Sequence, residues 1–340
     1  MGPLPLDQIA LAVARQFPIL RPPISLQFLG NHGGFSGAKL WHLSALEGNY
    51  CLRAWPAERA TPKQLNLIHA YMRRAGDDGL TVIPQILTTS RGASYVEEFG
   101  RLWEVTTWMP GRADFQESPT SVKLQRAAQV LAKLHCCWQD FPPDTGPCPA
   151  VHRRLSCLRS WLQKTNSDWQ PKAHDSGSTR LMPLAQRAWR LLAGWTPRLE
   201  PLLCPWIEPA LPLQMCLCDI WHDHLLFEGE QVSGLLDFGS IKRDHVAVDL
   251  SRMLGSLIGD DREQRQTALA AYREIRPLEE VELALIHVLD RSGTILAMAN
   301  WLTWLYWDRR QFENYPAVET RLLALVQRVE TWDNLASPVA

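Results

Sequence analysis

Three side chains that could perform chemistry lie close together in the sequence, between residues 217 and 240. Asp219 is followed five residues later by His224, and Asp237 opens an Asp-Phe-Gly triplet. A carboxylate on a tight loop can orient a hydroxyl group and accept its proton. A carboxylate at the end of a buried strand can hold a divalent metal ion, and imidazole is a further metal ligand. The stretch is therefore a candidate for a catalytic loop with a metal site beside it; taken singly, Asp219 could instead be a turn or cap residue, and the triplet could arise by chance.

The elements that must position these residues differ between the two parts of the chain. Residues 214–240 form a β-like island, in which two apolar runs flank the turn EGEQ, within a region of helical periodicity. A polar, turn-rich segment at 165–182 is predicted to be an exposed loop. Helices are predicted at 118–138, 183–195, 250–258, 261–274, 278–308 and 316–332, with a bend or break expected in the one at 278–308.

The first part of the chain has the alternation of a sheet. Residues 24–55 predict three antiparallel strands joined at a glycine-rich first hairpin, and two further strands are expected at 94–98 and 102–108. The run MPG at 109–111 then ends the sheet. Two helices accompany these strands, a leading one at 5–17 and one at 61–75.

Composition limits the classes of partner. The 340 residues carry 35 basic and 36 acidic side chains, for a net charge of −1, so neither a nucleic acid nor an anionic membrane is expected as a partner. No stretch reaches the roughly 18 apolar residues of a membrane span, and the first residues do not form a secretory signal. The eight cysteines show no zinc spacing, so a reducing cytoplasm is the expected compartment.

The order of elements, together with several short motifs, resembles a known family. The motifs are GGFSG, WMPG, LAKLH, DFGS and VDLSRMLG, and they cover most of the chain. The chain is similar to the aminoglycoside phosphotransferase and choline kinase-like small-molecule kinases. The resemblance implies an α+β, protein-kinase-like fold with two lobes. Residues 1–108 would form the nucleotide-binding lobe, and 109–340 the helical lobe with the catalytic loop and acceptor pocket.

The resemblance also implies roles in phosphoryl transfer, which depends mainly on positioning and charge stabilisation. Asp219 would be the catalytic acid of the loop, and Asp237 a metal ligand. The family implies Mg²⁺ as the metal. His224 stands where the family usually has a metal-binding asparagine, and because imidazole suits Mn²⁺ better, Mn²⁺ is an alternative. Asp249 matches the acid that braces the catalytic loop, although a helix N-cap is a competing interpretation.

Nucleotide binding is implied for the first part of the chain. A glycine-rich hairpin would cover the phosphates of ATP, because glycine permits close approach of the backbone, and the adenine would lie against the backbone near 107–109. By resemblance, the residues expected to bind nucleotide are Gly33, Gly34, Ser36, Gly37, Arg53, Thr107 and Met109.

Arg53 stands where the family commonly has lysine. It can bind phosphate oxygens with two donors, and a surface arginine in an edge strand is the alternative. The helix at 61–75 contains neither Asp nor Glu, so the acid that usually pairs with the strand cation is missing there; Glu58 is a tentative substitute.

The spacing after Asp237 favours a small acceptor. Only eleven residues, 238–248, separate it from Asp249, which leaves no room for a peptide-docking segment. A second feature is a tryptophan stripe at 301, 304 and 307, and Asp260 and Asp261 lie in a separate short loop of the same helical part. These groups would suit an amine-bearing acceptor, but a tryptophan stripe at helical spacing is more often a packing feature.

The expected function is ATP-dependent transfer of the γ-phosphate to a hydroxyl of a small molecule, such as an aminoglycoside, amino alcohol or sugar-like compound. The alternative is a catalytically silent, kinase-like module that binds nucleotide. Arg53, His224 and the missing helix acid motivate this alternative.

Overall fold

The computed structural model describes residues 5–30, 37–58, 60–140, 144–165, 169–172, 176–312 and 314–336. Within it the chain divides into two compact units. The first comprises Met1–Trp138 with His222–Ile241, and the second Gln139–Trp221 with Lys242–Ala340. This grouping does not follow the predicted boundary after residue 108, which was drawn by function and stays a prediction. Among the described residues, no helix has the length and apolar character needed to cross a membrane.

A five-stranded antiparallel sheet dominates the first unit, as predicted. Its order is β1-β2-β3-β5-β4, which places β3 in the centre. Arg53 lies in this central strand, so the alternative of an arginine in an edge strand is wrong. The strands are β1 (Ser25–Gly30), β2 (Lys39–Ala45), β3 (Gly48–Ala54), β4 (Val96–Glu98) and β5 (Arg101–Thr107).

One face of this sheet packs against the leading helix α1 (Leu6–Ala14), because alternate strand residues are apolar and point to that side. The indole Nε1 of Trp41 donates a hydrogen bond of 2.8 Å to Asp7 of α1. The buried residues of this core include Ala10, Val13, Phe17, Trp41, Leu43, Leu52, Trp103 and Val105.

Helix α2 (Pro62–Asp77) contacts β5 through His69, which faces Glu104. Thr61 caps the helix by accepting a hydrogen bond from the Gln64 N–H, and Pro62 occupies the first turn, where its missing donor costs nothing. Since Glu104 lies between Trp103 and Val105 in the strand, this contact is on the face opposite α1.

The hairpin of β8 (Leu225–Glu228) and β9 (Gln231–Leu235) also belongs to the first unit, together with α3 (Ser121–Cys137). The MPG crossover approaches this hairpin closely. Gly111 has a φ of +92°, and a Cβ there would lie 2.2 Å from the Ser233 hydroxyl oxygen. Only glycine fits this position, and the close approach fixes the hairpin that ends in Asp237.

The second unit is mainly helical and contains a small antiparallel sheet with the order β10-β7-β6. Its strands are β6 (Asp144–Gly146), β7 (Leu211–Cys216) and β10 (Lys242–Asp244). Its helices are α4 (Pro149–Lys164), α5 (Ser176–Leu203), α6 (Ala247–Leu257), α7 (Arg262–Arg273), α8 (Glu280–Leu302) and α9 (Tyr315–Ala336).

Two features of this unit differ from the sequence predictions. Helix α4 was not predicted, although Val151, Leu155 and Leu158 are buried at helical spacing. Helix α5 begins at Ser176, so a full loop at 165–182 is wrong; it continues through Pro183 because its apolar face packs against α8 and α9. The bend expected within 278–308 is confirmed as a π-helical turn at Thr303–Trp307.

Candidate active site

Asp237 lies two residues after the end of β9 and adopts an unusual backbone conformation. Its φ of +58° lies in the left-handed region, which is uncommon for a residue with a Cβ and is often found at functional sites. Its carboxylate accepts a hydrogen bond of 3.3 Å from the Gly239 N–H. The conformation turns the chain from the strand into a short 3₁₀ turn at Phe238–Ser240.

Arg53 is the cationic partner of Asp237. Its Nη2 donates a hydrogen bond of 3.1 Å to the Asp237 Oδ1, and 15% of the Arg53 side chain is exposed. Burial alone would raise the pKa of Asp237, but the charges of Arg53 and His224 hold it below its ordinary value. Burial alone would lower the pKa of Arg53, whereas the carboxylates of Asp237 and Glu104 raise it.

Trp55 supports the guanidinium group from one side. The Arg53 Cζ lies 4.1 Å from the centre of a Trp55 ring. A Cβ at Gly239 would lie 3.1 Å from the same indole, so the glycine of the triplet leaves space for it. Trp55 was not predicted from the sequence; its position two residues after Arg53, on the same face of an extended segment, was the available signal.

His224 faces the second oxygen of Asp237. Its Nε2 lies 3.8 Å from the Asp237 Oδ2, too far for a direct hydrogen bond, and 13% of its side chain is exposed. The His224 carbonyl accepts a hydrogen bond of 2.8 Å from the Leu236 N–H, which fixes the residue beside the end of β9. A carboxylate oxygen and an imidazole nitrogen that face each other in this way fit the donor set of a divalent cation.

The loop that contains Asp219 is held within the second unit by Asp249. The two carboxylate oxygens of Asp249 accept hydrogen bonds from the Leu217 and Cys218 N–H groups, at 2.7 and 2.6 Å. Asp249 is fully buried in the first turn of α6, whose N-cap residue is Val246. The N-cap interpretation of Asp249 is therefore wrong, and its contacts are those of a brace. Cys218 has a φ of +63°, so the brace stabilises a strained turn just before Asp219.

Arg252 contacts the carboxylate of Asp219 and was missed by the sequence analysis. Its Nε and Nη2 donate to the Asp219 Oδ1 at 3.3 and 3.2 Å, with 45% of each side chain exposed. Arg252 lies three residues after Asp249, about one turn further along α6. Helical spacing from the brace was the signal that could have identified it.

Comparisons with known proteins identify the family. The model of the phosphotransferase enzyme family matches residues 28–284, which is more than half of the chain. The chain belongs to the phosphotransferase enzyme family.

Relatives and solved structures agree with this assignment. The chain is 26% identical over 239 residues to a homoserine kinase from Ralstonia nicotianae, an alignment that covers 66% of the chain and 64% of that protein. It is 27% identical over 272 residues to a homoserine kinase from Methylobacterium nodulans, with coverage of 77% and 76%. A spectinomycin phosphotransferase, solved with ADP and spectinomycin, has the same fold, with a TM-score of 0.72, 13% identity and coverage of 98% and 99%.

These findings confirm the predicted family, the protein-kinase-like α+β fold and the class of small-molecule kinase. They give no support to a catalytically silent member of the family. The individual site residues stay predictions, and their geometry is the basis for the proposals below.

The predicted nucleotide-binding residues of this phosphotransferase other than Arg53 lie between β1 and β2 in the sequence and at or just after the end of β5. Gly33, Gly34 and Ser36 lie outside the described residues. Gly37 has a φ of +80°, for which glycine is suited. Thr107 donates its N–H to the Gln85 carbonyl, and its hydroxyl oxygen accepts from the Gln85 N–H. Met109 is buried just after β5, with 8% exposure.

The tentative role of Glu58 in this phosphotransferase is not supported by its position. Glu58 is exposed in the turn before α2. The carboxylate hydrogen-bonded to Arg53 is that of Asp237, and the Arg53 pKa responds to Asp237 and Glu104.

The acidic residues considered for amine binding have structural contacts in this phosphotransferase. Asp260 accepts hydrogen bonds from Arg328, at 3.0 and 3.1 Å, and from the Trp332 Nε1, at 2.6 Å. Asp261 caps α7 by accepting from the Gln264 N–H at 3.0 Å. The contacts of Asp260 connect the loop before α7 to α9, and the contact of Asp261 caps the N-terminus of α7.

The tryptophan stripe of the phosphotransferase is packed against other aromatic rings. Trp307 stacks on Trp169 with ring centres 4.0 Å apart, and Trp301 contacts Trp304 edge-on at 5.0 Å. The geometry therefore favours the packing interpretation of the stripe over an amine pocket.

Proposed function

We propose that the protein transfers the γ-phosphate of ATP to the hydroxyl group of a small molecule. The observation that carries this proposal is the group formed by Arg53, Asp237 and His224 in the first unit. It combines a phosphate-binding cation with two metal ligands. The braced loop with Asp219, within a chain of the phosphotransferase family, supports the same conclusion.

Each residue has a distinct proposed role. Asp219 orients the acceptor hydroxyl and accepts its proton, and Arg252 holds the Asp219 carboxylate in place through two hydrogen bonds. Arg53 donates to phosphate oxygens of the nucleotide, for which its planar guanidinium is suited. Asp249 positions Asp219 through the backbone of the two residues before it.

Asp237 and His224 are the residues that would hold a divalent cation. A cation bound there supplies positive charge that neutralises the phosphate oxygens. Because one of the two ligands is imidazole, we propose that Mn²⁺ serves as well as or better than Mg²⁺, which prefers oxygen ligands. In this proposal, His224 in place of the usual asparagine changes the preferred metal, and phosphoryl transfer is retained.

The acceptor is proposed to be a small hydroxyl compound. Residues 238–248 form a 3₁₀ turn, the strand β10 and the start of α6, so they are occupied by regular structure. The relatives named above are homoserine kinases, and the solved neighbour phosphorylates an antibiotic according to its name. Hydroxy amino acids, amino alcohols and aminoglycosides are therefore the first compounds to test.

All eight cysteines are free, which fits our proposal that the reaction takes place in the cytoplasm.

A screen of acceptors tests the proposal. The purified protein is incubated with ATP, either Mg²⁺ or Mn²⁺, and single compounds from a panel of hydroxy amino acids, amino alcohols, aminoglycosides and sugars, and ADP formation is measured. Asp219→Asn is the inactive variant, and Asp77→Asn, an exposed change on α2, is the matched control. We expect at least one compound to stimulate ADP formation in the wild type and the control only. Nucleotide binding without stimulation by any compound would contradict the proposal.

A further inference from the structure

Helix α2 contains no Asp or Glu at 61–75 that could pair with Arg53, but it carries a histidine that contacts the sheet. His69 is fully buried, and its Nε2 lies 2.6 Å from the Oε2 of Glu104 on β5. Its Nδ1 lies 2.7 Å from the hydroxyl oxygen of Ser94, so both ring nitrogens have partners. A ring held at both nitrogens has one orientation, and this orientation fixes the Glu104 carboxylate against the helix.

Glu104 is also the cross-strand neighbour of Arg53. The two residues are directly opposite each other in the antiparallel pairing of β3 and β5, so their side chains lie on the same face of the sheet. Glu104 is 6% exposed and Arg53 15%, which means that neither charge is shielded by bulk water. The acid that faces the strand cation on this side therefore comes from the sheet, and the helix contributes the group that holds it.

We propose that Glu104, held by His69, is the positioning acid of Arg53 and takes the place of the missing helix acid. This inference rests on the proposed function, because it assigns Arg53 to the nucleotide phosphates. Glu104 and His69 act through Arg53 and touch neither substrate.

The second acid matters because Asp237 has another role. Arg53 donates to Asp237 in this structure, and its Nε has no hydrogen-bond partner among the described residues although it is buried. A cation held by the Asp237 carboxylate would compete with Arg53 for that carboxylate and leave the guanidinium available to phosphate. The charge of Glu104 then keeps Arg53 on the same face of the sheet, while Trp55 supports the plane of the guanidinium.

A purely structural role for the buried His69–Glu104 pair is the competing explanation, and a double-mutant cycle separates the two. The variants are Glu104→Gln, which keeps the size and a hydrogen bond but removes the charge, Arg53→Ala, and the double variant. The exposed change Glu97→Gln on the neighbouring strand β4 is the matched control. The dissociation constant of a non-hydrolysable ATP analogue is measured by calorimetry, and the thermal midpoint of each variant is recorded.

We expect Glu104→Gln to weaken analogue binding about tenfold in the wild-type background and to have no further effect when Arg53 is already alanine. The KM for the acceptor should be unchanged. His69→Gln, whose amide can still contact Glu104 and Ser94, should bind the analogue nearly as well as the wild type, whereas His69→Leu should resemble Glu104→Gln. If Glu104→Gln does not fold, the comparison of His69→Gln with His69→Leu tests the same inference.

Two results would overturn the inference. One is a lower thermal midpoint with unchanged analogue affinity, and the other is an equal loss of affinity in both backgrounds. Either result leaves the proposed function intact. Conversely, a coupling between Glu104 and Arg53 in analogue binding, without turnover of any acceptor, would support the inference and reject the proposed function.

Discussion

Arg53 in the central strand β3 and Asp237 after β9 are 184 positions apart in sequence and joined by a hydrogen bond of 3.1 Å. The bond connects the cation proposed for phosphate with the carboxylate proposed for metal. Each neutralises the charge of the other, which offsets the cost of placing the largely buried Arg53 guanidinium in the sheet.

The first prediction concerns Arg53. Arg53→Ala removes charged hydrogen bonds to phosphate, which contribute about 1.5–3 kcal/mol each, so affinity for an ATP analogue should fall at least about tenfold. Calorimetry measures the change, with Arg91→Ala, an exposed arginine outside the sheet, as control. Arg53→Lys should recover part of the affinity because the charge is kept while the paired donors are lost. Equal affinity in Arg53→Ala and the wild type would exclude a role for Arg53 in phosphate binding.

The second prediction concerns the metal. Turnover of the wild type should be at least as fast with Mn²⁺ as with Mg²⁺, and His224→Asn should lower the Mn²⁺-to-Mg²⁺ ratio of kcat roughly tenfold, because an amide oxygen suits Mg²⁺. Titration of each metal at saturating ATP gives the ratio. His152→Asn, on helix α4 of the second unit, is the control. A ratio that does not change in His224→Asn would show that His224 is not a metal ligand.

The strands on either side of the turn EGEQ were predictable, because two apolar runs flank it; the roles of Asp219, His224 and Asp237 came from the family resemblance and stay predictions. The five strands were predictable for a similar reason, since their alternation is set by one buried face. Helix α4 was missed although its pattern is regular, and α5 was predicted too short because the polar, turn-rich residues before 183 were assigned to a loop.

The contacts that complete the site could not be predicted from the sequence. Glu104 faces Arg53 only through the strand register, and His69 reaches Glu104 only once α2 lies on the sheet. Arg252 reaches Asp219 from a helix 33 positions away in the sequence. The contacts of Glu104 depend on tertiary packing, and for Arg252 the sequence offered only its helical spacing from Asp249.

The third prediction concerns the brace. Asp249→Asn replaces one accepting oxygen by a donor that faces the Leu217 or Cys218 N–H, so a buried donor loses its partner. We expect a loss of about 1–3 kcal/mol in the free energy of unfolding. We also expect a lower kcat, because the Asp219 loop is less well positioned, with little change in the affinity for nucleotide. Chemical denaturation and steady-state kinetics measure the two effects.

The control for the brace is Ser251→Ala, another buried change in α6, whose hydroxyl donates to the Val248 carbonyl of the same helix. This variant should lose some stability but keep kcat. If kcat falls equally in both variants, the effect of Asp249→Asn reports general damage to α6, and the bracing role would have to be abandoned.

The fourth prediction concerns pH. The folded-state pKa of Asp237 is below its ordinary value, because the charges of Arg53 and His224 outweigh the effect of burial. Its contribution to stability is therefore present above the ordinary aspartate pKa of about 3.9 and is lost as the pH falls through the lower folded value. Without added metal, the stability difference between the wild type and Asp237→Asn should be constant near neutral pH and shrink in acid. A difference that grows in acid would contradict the assigned sign.

The most direct test of the central claim follows labelled phosphate from ATP into the acceptor identified by the screen. With ATP labelled at the γ-phosphate, the wild type should form a labelled phosphate ester. Asp219→Asn should form it about 10²–10⁴ times more slowly, because the variant lacks the base but keeps the loop. Label that appears only as inorganic phosphate, or an ester formed equally fast by Asp219→Asn, would contradict the account of this protein as a small-molecule kinase that uses Asp219.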